Sequence, residues 1–454
     1  MRGVATVVFI ALAVMTVWAA VVFAYHQDSG TAIAIYDFKP SHPWNRLYAA
    51  LWVRQDPHGK RYGEDSLDPP LWLESEHLLS QPSHQTAIQI LDEFLRTHAE
   101  TLIRDPLKRA MLQRDLWAVF DWSARQYPAK DRPSYDKEKK ELQIRLAEVL
   151  RRLALSPDEV KALPDNYSQA VASGSFVKEF DAAQPERPFL PPDLFDPHGP
   201  WVCIKPSPES DGGVTPMHLF NFSGRSCFFV FVRLPDGRKA TMDYFQKLWN
   251  FPAPYVAGPS FAPDQAPVNS NLPSFPTGTE VALVRRVTLF DNQGALQATP
   301  ITDSVQIRVY RAITTSQEHD FTGGVAEVAK NSGQSFYEIK LSRQLLFSGK
   351  NGGLRVVGRN ELELSTFQTK GDDLIDEANP LPELQGCIWC HSGGGVRSLN
   401  SRASLLKPNR MQQEPEDPEY GPIFWGDSST IAWKQRHYDW GLLNGYWKAA
   451  SPQR

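Results

Sequence analysis

Two of the four cysteines in this chain stand three residues apart, at Cys387 and Cys390, and a histidine, His391, follows directly. C-x-x-C-H is the attachment sequence for c-type haem. A chain that uses it so must fold around a porphyrin. Two thiols reach two vinyl groups on one edge of the ring, and the two-residue gap turns both sulfurs the same way. The next residue then lies beneath the ring, where an imidazole binds iron. Three other uses of the string compete. A thioredoxin-like dithiol expects a βαβ setting, but Pro380 and Pro382 precede the string and Gly393, Gly394 and Gly395 follow it. A zinc site wants a second ligand pair of similar spacing, and none occurs. A structural disulfide leaves His391 unexplained. The preferred reading is one covalent haem c per chain.

The N-terminus points the same way, because covalent haem attachment takes place beyond the cytoplasmic membrane. After Arg2 an apolar run extends from Val4 to Ala24, broken only by Thr6 and Thr16. About 20 such residues cross a bilayer as a helix, and the run is longer than the usual core of a signal peptide. Small residues before position 25 leave cleavage after Ala24 open as a second reading. Either way the rest of the chain is exported, with Arg2 on the cytoplasmic side. The expected location is the periplasm or the outer face of the membrane, anchored by this segment. Net charge is -4, and no basic stripe suggests a nucleic acid partner.

The expected fold class is α+β and multidomain. Residues 1–24 form the anchor or signal peptide and 25–175 a mainly helical domain. Residues 176–200 form a proline-rich linker, 201–365 a β-domain, and 366–454 a mostly α haem-binding segment. Helical spacing marks Ala87, Ile88, Leu91, Phe94 and Leu95. Asp105 with Pro106 reads as a cap and first turn, leading a single apolar stripe through Met111, Leu116, Val119 and Phe120. Ser156-Pro157-Asp158-Glu159 reads as another helix start. The period turns to that of strands at Trp201. Here "CFFVFVRLPDGRKATMDYF" predicts a strand, a turn and a second strand, and "VALVRRVTLF", "SVQIRVYRAI" and "SFYEIKLSRQLLF" predict more. Together they suggest an antiparallel sandwich or distorted barrel. Cys203 and Cys227 open this region, either as a disulfide or as two separate buried thiols.

By Cys387, Ile388, Trp389, Cys390 and His391, with a C-terminal helix behind them, the tail resembles the c-type cytochromes. The resemblance implies thioether bonds at Cys387 and Cys390 and His391 as the proximal iron ligand. It covers no more of the chain than that, and the prolines of "GDDLIDEANPLPELQG" interrupt a stretch that is helical in the family. The haem is therefore expected in a reduced or modified domain packed partly on the β-domain. For the sixth iron position Met411 is the first candidate and His437 the second. Met217, His218 and Met242 qualify only if the β-domain covers the haem. Arg397 and Arg402 are either propionate partners or ordinary surface arginines. No hydrolase, zinc-protease or phosphate-loop motif occurs. The expectation is a single-electron carrier with a redox partner in the cell envelope. The alternatives are a haem oxidoreductase or peroxidase-like enzyme with an open distal site, and a haem-bearing envelope protein that binds or senses.

Overall fold

A computed structural model describes residues 33–55, 61–65, 78–125, 134–204, 215–254, 269–313, 333–361, 383–391, 393–398 and 423–450. The N-terminal apolar run, Arg402 and Met411 lie outside the described residues, and the side chains of Trp389, Cys390 and Arg397 are likewise not described. Among the described residues no helix is long and apolar enough to cross a membrane.

The fold is α+β. Its first half is helical: α1 (Pro43–Trp52), α2 (Ser83–Arg96), α3 (Pro106–Ala124), α4 (Asp136–Leu153), α5 (Pro157–Lys161) and α6 (Asn166–Ala172). Arg54–Gln55 and Arg61–Tyr62 pair as the short strands β1 and β2. The expected helix starts hold. Asp105 accepts from the amides of Leu107 and Lys108 at 2.8 and 3.2 Å, and Ser156 forms a reciprocal capping box with Glu159.

The strands after Trp201 make one open antiparallel sheet in plain sequence order. They are β3 (Val202–Cys203), β4 (Ser226–Arg233), β5 (Glu280–Phe290), β6 (Leu296–Tyr310), β7 (Gln334–Leu341) and β8 (Leu354–Val356). Among the described residues neither a sandwich nor a barrel forms, because helices rather than a second sheet cover the inner face. Phe229, Phe231, Ala282, Val284, Val305, Ile307, Ile339 and Leu341 share one continuous core with the helical half. Each Phe, Val, Ile or Leu side chain among them contributes roughly 1.5–3 kcal/mol on burial. The segment 176–200 is packed rather than an open linker: Phe189, Leu190 and Leu194 are buried, and Phe189 meets Tyr337 edge-on.

Two local expectations change. "GRKATMDYFQKLW" is not a strand but a helix, α8 (Gly237–Trp249), which follows a short α7 (Pro216–Asn221) and β4. Its buried residues Thr241, Tyr244, Phe245 and Leu248 recur at helical spacing, which the Phe- and Val-rich strand before it obscures. Helix α3 is buried on every face from Ala110 to Ala124, not along one stripe. Its polar residues reach ion partners across the layers: Arg114 to Asp303 on β6 at 3.4 Å, Asp115 to Arg343 at 2.5 Å, and Asp121 to Arg225 and Lys434 at 2.7 Å each.

Register settles the first cysteine pair. Cys203 lies opposite Phe231, four residues along β4 from Cys227. That is about 13 Å at strand rise, beyond disulfide reach. The two are separate thiols.

The outer sheet face carries the next layer. In successive rows it presents Phe228, Arg285, Ser304 and Lys340, then Val230, Leu283, Gln306 and Glu338, then Val232, Val281, Arg308 and Phe336. Against it pack α8, the helix α10 (Glu383–His391), which follows α9 (Arg343–Phe347), and the helix α11 (Ile423–Arg436), whereas α12 (Tyr438–Ala450) lays Trp440 and Leu443 into the core shared with the helical half.

Candidate haem-attachment site

The C-x-x-C-H string lies on α10, so Cys387 and Cys390 stand one turn apart on the same helix face. Leu384 and Ile388 are buried and fix the helix's rotation on the sheet. Its ends are tied to β7. At the start, Lys340 and Glu383 form a buried, short ion pair, and the Glu383 amide donates to the Glu361 carbonyl at 2.7 Å. At the end, the Gln334 side-chain amide donates to the carbonyls of His391 and Gly393 at 3.1 and 3.0 Å.

After His391 the chain turns back through a 3-10 turn, Gly395–Ser398. Gly395 takes φ +55°, and a Cβ there would meet Ser274 Oγ at 2.1 Å. Glycine at this point serves a close approach of chain to chain. The turn brings the Ser398 carbonyl to His391, whose Nδ1–H donates to it at 2.7 Å. That carbonyl is itself held: Arg308 Nη1 donates to it at 3.2 Å and to Ser398 Oγ at 2.8 Å, and Tyr310 OH makes a short contact with the same Oγ. With Nδ1 committed as donor, Nε2 keeps its lone pair. A backbone carbonyl that fixes an imidazole's tautomer and ring angle in this way is the kind of support metal-binding histidines have. Burial, with the Arg308 charge adding to it, lowers the His391 pKa to about 3, so the ring is neutral near pH 7.

Opposite stands His218. It comes from α7, where Pro216 occupies the first helical turn. Leu219 is buried against Phe228 and Trp433, while Met217 and Phe220 point outward, 67% and 55% exposed. The His218 ring lies 5.7 Å from the ring of Phe228. Its pKa falls to about 4, first through burial and then through the charges of Arg285 and Arg308. The rings of His218 and His391 are parallel to within 3°, with centroids 6.2 Å apart. Both lie deep in the packing yet keep part of their surface accessible. His218, which precedes β4, is thus the upstream candidate that the fold brings opposite His391.

The other candidates sit elsewhere. His437 stacks on Trp433, with centroids 3.5 Å apart, at the break between α11 and α12. Met217 faces solvent, and Met242 lies on α8. Arg308, Gln334 and Ser398 form the cradle of His391, and the sequence carries no local signal for them. Among the described residues no three His, Cys, Asp or Glu side chains gather as a metal site. A haem iron needs at most two protein ligands, since the porphyrin supplies the rest.

The comparisons are brief. The chain matches no family model, no curated protein and no solved structure.

Proposed function

We propose that this chain is an exported c-type haem protein that carries single electrons. One haem c would be bound through Cys387 and Cys390, with His391 as the proximal iron ligand. The observation that carries the reading is His391 itself. It directly follows the two cysteines, is buried and neutral, and is locked by Ser398 with Nε2 left to bind. Beside the motif, that environment is what iron ligation requires and what a dithiol or a plain disulfide does not.

When bound, haem supplies an iron that changes oxidation state by one electron. The chain's own residues do the rest. Helix α10 places positions 387 and 390 one turn apart, and the Arg308–Ser398 hydrogen bonds hold the imidazole at a fixed angle. Leu219, Phe228 and Trp433 form a buried apolar cluster beside His218, and Val396 is buried in the turn after His391. The group facing His391 is a second neutral imidazole, and this favours electron transfer over a catalytic iron with an acid–base partner. The segment Val4 to Ala24 exports and anchors the chain, so the protein works at the outer face of the membrane with a redox protein as partner.

The test is a pyridine haemochrome assay on protein made alongside haem-maturation machinery, with Cys387→Ala as control. The wild type should carry one covalent haem and the variant a greatly reduced amount. Equal absence of pigment from both sinks the proposal.

A further inference from the structure

The gap between His218 and His391 has a size that carries information. Parallel rings in van der Waals contact lie about 3.5–4.0 Å apart. A direct N–H···N hydrogen bond of about 2.9 Å, with each centroid about 1.1 Å behind its nitrogen, puts the centroids about 5.1 Å apart. Two imidazoles on opposite sides of one metal ion, with bonds of about 2.0 Å each, put them about 6.2 Å apart. The observed spacing is 6.2 Å, with the planes parallel to within 3°. Neither ring nitrogen of His218, and not Nε2 of His391, makes a hydrogen bond among the described residues. A metal ion held between the two rings would take up the lone pairs of these nitrogens.

We propose that His218 is the second axial ligand of the haem iron, opposite His391. The inference rests on the haem reading above and deepens it. The two ligands come from segments on either side of the sheet strands, α7 before β4 and α10 after β8. Binding would therefore clamp the haem between the β-domain and the tail, and both axial positions would be filled by the chain. A site closed in this way passes electrons without exchanging small ligands. Two imidazoles also set a lower potential than an imidazole with a thioether, the pairing that Met411 would give.

The experiment compares wild type with His218→Ala and His218→Met, each made with covalent haem. The wild type should be low-spin in both oxidation states and indifferent to carbon monoxide. His218→Ala should keep its full haem content yet become high-spin when ferric, bind carbon monoxide when reduced, and return to low spin on adding imidazole. His218→Met should show thioether ligation and a raised potential. If the variants fail to fold, the near-infrared magnetic circular dichroism of the wild type decides alone, since two imidazoles and an imidazole–thioether pair give different charge-transfer bands. An unchanged low-spin spectrum in His218→Ala, or a thioether band in the wild type, overturns the assignment while leaving the haem reading intact. A wild type without haem overturns both.

Discussion

Glu280 begins β5 and should make the stability of the whole fold depend on pH in a defined window. Its side chain is buried, and Oε2 has no hydrogen-bond partner. Arg233 stands 4.0 Å away, too far to compensate fully. Burial therefore dominates and pushes the carboxyl from 4.5 up to about 7. Between those values the native state holds a proton that the unfolded chain has released. Stability must then fall as pH rises through the window, and level off above it. A shift of this size corresponds to about 3 kcal/mol as an upper bound. Glu280→Gln keeps the shape and removes the titration. Urea unfolding of both proteins from pH 4 to pH 8 isolates the effect, because all other titrations cancel in the difference. The variant's advantage should grow by about 2–3 kcal/mol between pH 4.5 and pH 7 and stay constant beyond. Parallel stability curves would refute the reasoning, and so would an advantage that shrinks with pH.

Three further outcomes are expected. Asp115→Ala strands the buried Arg343 guanidinium and should cost about 3–5 kcal/mol, whereas Asp115→Leu with Arg343→Met should recover most of that loss; chemical denaturation of the cycle checks it. Arg308→Leu removes both hydrogen bonds to Ser398 and should lower stability by about 1–3 kcal/mol with covalent haem content unchanged, read by melting alongside haemochrome. Cys203 and Cys227 should both alkylate in denaturant without reductant, since they are separate thiols; a mass that gains these two labels only after reduction would contradict the sheet register.

Local chemistry was legible along much of the chain. Asp105 and Ser156 announce their helices because a cap is a contact between residues a few positions apart. The strands β4 to β7 announce themselves through Val, Ile and Phe at alternating positions. What stayed hidden depends on partners far along the chain. Arg114, Asp115 and Asp121 read as the polar side of a surface helix until Asp303, Arg343, Arg225 and Lys434 meet them. A single sheet cannot be told from a sandwich by strand pattern, because the covering layer is set by tertiary packing. The site divides in the same way. His391 is marked by its neighbours Cys387 and Cys390, while His218 is an unremarkable histidine in a six-residue helix. Only the fold brings it opposite.

Intact mass spectrometry of the full chain, recovered from a host that matures c-type haems, tests the central claim most directly. The account predicts a polypeptide heavier by one haem, with that mass lost when Cys387 and Cys390 are both replaced by alanine. A wild-type mass equal to the bare polypeptide would contradict it.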